Sequence, residues 1–331
     1  MNTLEETLAF LAPSETARAY LDRALREPLR SGIPFVDAHD PEPALRAGEI
    51  VEIVGAPGSG KTEFVTEIAA HAVLPRARDG VRYDGSEARV IVIDCDGKFD
   101  QLRLLRALNR KIEEKLANVR ENQRVTMRDE VYEESMSRFT LVRAHGMVDA
   151  LKTLTALDAA WSGAIESAKR DGLFVDAETG EAGEDVECAG ANGANGGEMA
   201  KFASQRLVIC DNVAAFYWLD RASRKDHGAP FNIQRVFSAA ARLFKRLASA
   251  HRAAVVVTKT TLSLNDGRRG GQYKDFLPVE WTNAVTQRVL LAPSNERVGY
   301  GEYAGVATWD VPVRRHGGAY TVTEQGMRCS T

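Results

Sequence analysis

The stretch "IVEIVGAPGSGKTEFVTEIAAHAV", residues 50–73, decides the fold. It falls into three parts. An apolar run ending at Val54 has the composition of a buried strand. Gly55, Ala56, Pro57, Gly58, Ser59, Gly60, Lys61 and Thr62 then fill the pattern G-x-x-x-x-G-K-[ST] at every fixed position. An apolar-periodic segment follows as far as Pro75 and predicts a helix. The glycines let the backbone approach a phosphate closely, and the N–H groups at the helix start add positive potential. Lys61 is placed to reach β- and γ-phosphates, and the Thr62 hydroxyl to sit on Mg²⁺. A glycine-rich turn before an ordinary helix is the plainer alternative; the full match in a strand–loop–helix context argues against it. A bound nucleoside triphosphate, ATP with Mg²⁺, is expected.

The rest of the chain bounds the setting. At 331 residues it accommodates one large α/β domain, or one domain with small additions. With 44% hydrophobic and 27% charged residues, the composition is that of a globular protein. No apolar run reaches the length of a membrane span, and the first residues lack a basic segment followed by a long apolar one, so neither membrane nor secretory route is expected. Cys95, Cys188, Cys210 and Cys329 form no C-x-x-C pair. Two of them lie in apolar runs and read as buried thiols rather than zinc ligands. A net charge of −3 does not advertise nucleic-acid binding, although it leaves room for a local basic patch.

Outward from the loop, strand and helix alternate. Residues 14–29 read as a short amphipathic helix with Ser14 as N-cap, and a Pro-punctuated connector leads to the loop strand. Strands are predicted at 88–96, 138–144, 206–212 and 253–260. Helices are predicted after Phe99, from about Met147 and over Asn232–His251, with 117–137 as loop or exposed helix. This alternation argues for a mostly parallel sheet flanked by helices. After Trp281 the pattern changes to short strands separated by turn residues, which fits an antiparallel C-terminal edge on the same sheet. Residues 1–44 are thus an N-terminal helix and linker, and 45–325 the core. Residues 171–201, rich in Gly, Ala, Asn and acid, read as a disordered surface insertion, with a docking tail as the alternative.

Chemistry requires carboxylates near the loop. "LVICDN" ends in Asp211, either a Walker B ligand on the metal side or an Asp that simply ends a strand. "VIVIDCD" places Asp94 and Asp96 two residues apart and so on one face. Asp96 is the candidate for orienting an attacking water, with a helix N-cap as its alternative. Arg288 is a weaker candidate for the nucleotide edge.

No LSGGQ-like stretch and no Asn/Thr-Lys-x-Asp motif is found. "GAPGSGKTEF", "VIDCDGKFDQLRL", "LVICDNVAAFYWLDR" and "VVVTKTT" instead resemble the successive motifs of eukaryotic RecA-type recombinase paralogues, over roughly residues 45–292. Glu63 after "GKT", "HAVLP" and "AFYWLDR" point to one particular member of that family. The resemblance implies a RecA-like P-loop NTPase core. It also implies a nuclear role in homologous-recombination repair of DNA double-strand breaks, in a complex of sister paralogues that assists the strand-exchange recombinase. Composition alone could not have shown this.

The departures are informative. Family recombinases usually carry Glu where Asp96 stands, and Gln where Thr260 stands; a separate N-terminal DNA-binding helical domain is not expected. "FVDA", residues 35–38, superficially matches the Phe-x-x-Ala plug that joins recombinase subunits, but lies very close to the loop strand. Contact with single-stranded or branched DNA falls to the segment 262–276 with Arg268, Arg269 and Lys274, which a solvated connector would equally explain. Three readings result: a mediator subunit with slow or dispensable hydrolysis, an autonomous filament-forming DNA-dependent ATPase, and a P-loop small-molecule kinase. The first is favoured by Asp96 and Thr260, and the third lacks an Arg-rich lid.

Overall fold

The loop strand β1 (Ile50–Gly55) is buried at all six positions and is flanked on both sides by parallel neighbours. The computed structural model describes residues 28–38, 44–170, 205–218, 221, 232–261, 275–294, 299, 302–313 and 317–329, with the backbone alone at 165–170. The expected acidic insertion at 171–201 lies outside these, as does the expected helix at 14–29 except for Pro28 and Leu29.

In chain order the further strands are β2 (Ala77–Arg78), β3 (Val81–Arg82), β4 (Arg89–Asp94), β5 (Phe139–Arg143), β6 (Arg206–Asp211), β7 (Ala253–Thr260), β8 (Gln287–Pro293), β9 (Tyr303–Val311), β10 (Gly318–Thr323) and β11 (Gly326–Cys329). The helices are α1 (Pro34–Asp37), α2 (Lys61–Val73), α3 (Gln101–Leu116), α4 (Glu121–Ser137), α5 (Met147–Arg170), α6 (Ile233–Ser249) and α7 (Val279–Ala284). Among the described residues, all strands except the β2–β3 pair join one sheet in the order β11-β10-β9-β8-β1-β7-β6-β4-β5. From β5 across to β8 every pairing is parallel, and β9 to β11 add antiparallel. This is the mostly parallel RecA-like core with an antiparallel C-terminal edge. The final strand, β11, was not expected; the stretch at 117–137 is helical from Glu121 and buries Val131 and Ser135.

The apolar strands are buried on both faces because their side chains alternate. Val51 and Ile53, Val90 and Val92, Leu207 and Ile209, and Ala254 and Val256 pack with α2 and α3 on one face. Ile50, Ile93, Val208, Cys210, Val255 and Val257 pack with α5, α6 and α7 on the other. Helix α6 starts at the N-cap Asn232, whose side chain accepts from the Gln234 N–H at 2.8 Å. Its buried apolar residues, Val236, Phe237, Ala240, Ala241, Phe244, Leu247 and Ala248, recur at helical spacing on one stripe. The thiols of Cys95 and Cys210 are buried and 3.7 Å apart, as free cysteines. Among the described residues no helix is long and apolar enough to cross a membrane.

One superficial sequence match is set aside and one sequence reading is corrected. Phe35 of "FVDA" is 7% exposed, its ring centroid 5.8 Å from that of Phe64 on α2, so it is part of this chain's own core. A side chain already committed there is not presented to another subunit. Arg288 does not reach the nucleotide edge. Its guanidinium is buried on the α6–α7 face, donating to Glu52 at 2.6 Å and pairing with Asp310 at 3.2 Å and Asp275 at 3.4 Å.

Candidate functional site

The loop between β1 and α2 turns sharply enough to need left-handed backbone at two places. Gly58 has φ 78° and Gly60 φ 82°, where a side chain would be strained. At Gly60 an added Cβ would also lie 3.0 Å from Val322 Cγ2, so the loop is packed against β10. Around the loop opens a cavity of about 580 Å³, lined by Pro57 to Glu63 and by Asp96, Asp211, Asn212 and Thr260.

Lys61, the first residue of α2, folds back onto the loop. Its Nζ donates to the carbonyls of Gly55 at 3.0 Å and Ala56 at 2.8 Å, and the residue is 7% exposed. Burial pulls its pKa down to about 8 against the opposing pull of Asp211. One turn position later, Thr62 Oγ1 donates to Asp211 Oδ2 at 2.8 Å. The other Asp211 oxygen accepts from Thr258 Oγ1 at 2.5 Å, so strand β7 orients the carboxylate at the end of β6. Burial raises the Asp211 pKa to about 6, more than the two hydroxyl bonds lower it, and the nearby Asp96 and Asp94 add to the rise.

The three carboxylates of Asp94, Asp96 and Asp211 lie within 4.8 Å of one another, from the ends of β4 and β6. Their duties differ. Asp94 accepts from the N–H groups of Gly97 at 2.9 Å and Phe99 at 3.3 Å, and thereby shapes the turn after β4. Asp96 Oδ2 is paired with Lys98 at 3.0 Å, while its Oδ1 is buried without a hydrogen-bond partner. The helix-capping alternative for Asp96 does not hold: the N-cap of α3 is Asp100, whose side chain accepts from the Leu102 N–H at 2.9 Å. Sequence reasoning overlooked Asn212. Its amide nitrogen reaches Thr260 Oγ1 at 3.0 Å and Asp96 Oδ2 at 3.4 Å, and its oxygen accepts from the Thr260 N–H at 3.2 Å. The signal was its position directly after Asp211, which carries it to the same sheet edge.

This geometry can be set beside known proteins. No protein-family profile matches the chain. It is 23% identical over 335 residues to the DNA repair protein XRCC2 homolog of Arabidopsis thaliana, covering 88% of this chain and 80% of that protein. To the mouse DNA repair protein XRCC2 it is 22% identical over 265 residues, with 75% and 74% covered. To the bovine DNA repair protein RAD51 homolog 4 it is 24% identical over 268 residues, with 81% and 62% covered. The chain resembles the RecA-type recombinase paralogues.

Beside these XRCC2- and RAD51-type relatives, the sequence-derived candidates divide clearly. Pro57 to Thr62, Asp96 and Asp211 meet at one cavity, together with Thr260, while Gly55 and Ala56 contribute the carbonyls that hold Lys61. Arg268, Arg269 and Lys274 lie outside the described residues. Residues not foreseen complete the wall: Arg103, ion-paired with Glu63, Tyr303 and Val322 from the antiparallel strands, and Trp218, which is 53% exposed. Tyr303 and Val322 carried no local pattern, because strand pairing and not sequence neighbourhood brings them to the loop; Arg103 and Trp218 lie in quoted motifs, but nothing in those motifs assigned them to the cavity.

Proposed function

We propose that this chain is an ATP-binding recombinase paralogue acting in homologous-recombination repair of DNA double-strand breaks, in the nucleus. It would work as a subunit of a paralogue complex that assists the strand-exchange recombinase. The observation that carries the reading is the similarity to proteins named for DNA repair across 88% of the chain. The site is consistent with it. Hard oxygen donors from Thr62 and Asp211 suit a magnesium ion held with triphosphate oxygens, and Lys61 supplies a cation that can exchange loop carbonyls for phosphate. Bound magnesium would neutralise charge on the phosphates. Asp96 would orient the attacking water, in a core read as extending over 45–325.

Two side chains favour the mediator role over autonomous strand exchange. Asp96 presents its carboxylate on a stem one methylene shorter than Glu, and a misplacement of about 1 Å can cost roughly a hundredfold in rate. Thr260 is held by Asn212 and is short, so loss of a γ-phosphate would be passed weakly to residues 262–276, where DNA contact is expected. The test is to capture the native chain and identify what co-purifies, then measure ATP hydrolysis with and without single-stranded DNA. Sister paralogues and a slow, DNA-indifferent turnover are expected. A chain that forms its own filament and hydrolyses ATP with strong DNA stimulation would overturn the mediator reading.

A further inference from the structure

A loop that presents N–H groups to an anion must turn carbonyls the other way, and each buried carbonyl then needs a donor of its own. The Ser59 carbonyl finds one far along the chain. Tyr320 Oη, on β10, donates to it at 2.7 Å across 261 residues of sequence. The tyrosine is 1% exposed, and the geometry around it leaves its ring little freedom. On one side it lies against the loop: a Cβ on Gly60 would be 3.3 Å from its Cε2. On the other it covers Gly305 of β9, where a Cβ would meet its Cζ at 2.3 Å and its hydroxyl at 2.4 Å. Burial also pushes the phenol well above its ordinary pKa, so the hydroxyl keeps its proton.

The Ser59 carbonyl and the Gly60 N–H belong to one planar, trans peptide and point in opposite directions. Fixing the carbonyl against β10 therefore fixes the N–H away from it, on the phosphate side of the loop. We propose that Tyr320 is a positioning residue for triphosphate binding, holding the 59–60 peptide in the orientation that presents the Gly60 N–H. The antiparallel edge of the sheet is then part of the nucleotide site. This deepens the phosphate-loop reading and rests on it.

The experiment measures inorganic tripolyphosphate with Mg²⁺, in competition with a fluorescent ATP analogue, at a temperature where every protein is folded. Tyr320→Phe keeps the ring and removes one hydroxyl. Its affinity for tripolyphosphate should fall about tenfold, as for a lost hydrogen bond near an anion, with ATP weakened by the same factor. Gly305→Ala is the second variant; it displaces the Tyr320 hydroxyl without removing it and should give a loss of the same kind. A tyrosine that only stabilises the fold would lower the melting temperature and leave tripolyphosphate affinity unchanged, and that result overturns the proposal. So does a loss confined to ATP, which would place the effect at the base. A wild-type chain that binds no tripolyphosphate removes the phosphate-loop reading itself.

Discussion

Thr62 and Asp211, 149 residues apart in sequence, share a 2.8 Å hydrogen bond from the hydroxyl of one to the carboxylate of the other. The first turn of α2 is thereby tied to the end of β6, and two hard oxygen ligands are held side by side. Thr258 grips the second carboxylate oxygen, so both oxygens of Asp211 are held by hydroxyl donors.

The first expectation concerns the metal. Titrating Mg²⁺ at fixed nucleotide analogue should tighten binding to the wild type. Asp211→Asn keeps the side-chain shape but removes the charge, so its affinity should respond little to Mg²⁺. A full wild-type response in this variant would remove Asp211 from the metal side.

Lys61→Ala tests the loop. The lysine is buried, and not the exposed side chain that a free loop would offer, yet its ammonium is held by two loop carbonyls that phosphate oxygens can replace. Losing a charged hydrogen-bond donor to phosphate should cost about 1.5–3 kcal/mol of triphosphate affinity, roughly ten- to a hundredfold. Folding stability should change far less. Equilibrium binding of a fluorescent ATP analogue is the measurement, and unchanged affinity would sink the assignment.

Glu52 organises a buried charge cluster at the centre of the sheet. It is fully buried and accepts from Trp281 Nε1 at 2.8 Å, Lys259 at 2.7 Å and Arg288 at 2.6 Å. Lys259 in turn holds Asp275 at 2.8 Å. Glu52→Ala would leave two buried cations with Asp275 as the remaining carboxylate they share, and breaking a buried pair in this way costs about 3–5 kcal/mol. Guanidinium denaturation should show that loss with the m-value unchanged. A loss below about 1 kcal/mol would mean that apolar packing alone holds β1, β7 and β8 together.

Stability should also fall towards acid through His71. Burial, aided by Lys111, pushes its pKa down from 6.5 to about 3, against weaker upward pulls from Asp84. The unfolded chain takes up this proton near pH 6.5 and the folded chain does not until about pH 3. The contribution is therefore complete above 6.5 and shrinks as pH falls, by up to about 1.4 kcal/mol per unit. His71→Gln should lose less stability than the wild type between pH 6.5 and pH 4.5 in urea unfolding. Parallel curves for the two proteins would exclude His71 as a source of the acid limb.

Local pattern was enough for most of the architecture. Apolar runs of strand length, a helical stripe such as that of α6 and the fixed spacing from Gly55 to Thr62 each arise from contacts within a few residues, so each could be read in order along the chain. The carboxylates at the ends of two strands were legible for the same reason, since parallel strands bring their C-terminal ends to one edge. What the tertiary structure decided is everything that depends on which strands become neighbours. Asn212 reaches Thr260 because β6 lies beside β7, and Arg288 is drawn into the charge cluster because β8 lies beside β1. Tyr320 meets Ser59 only because the chain folds its last strands back beside the loop, and no sequence pattern marks an encounter between residues 261 positions apart.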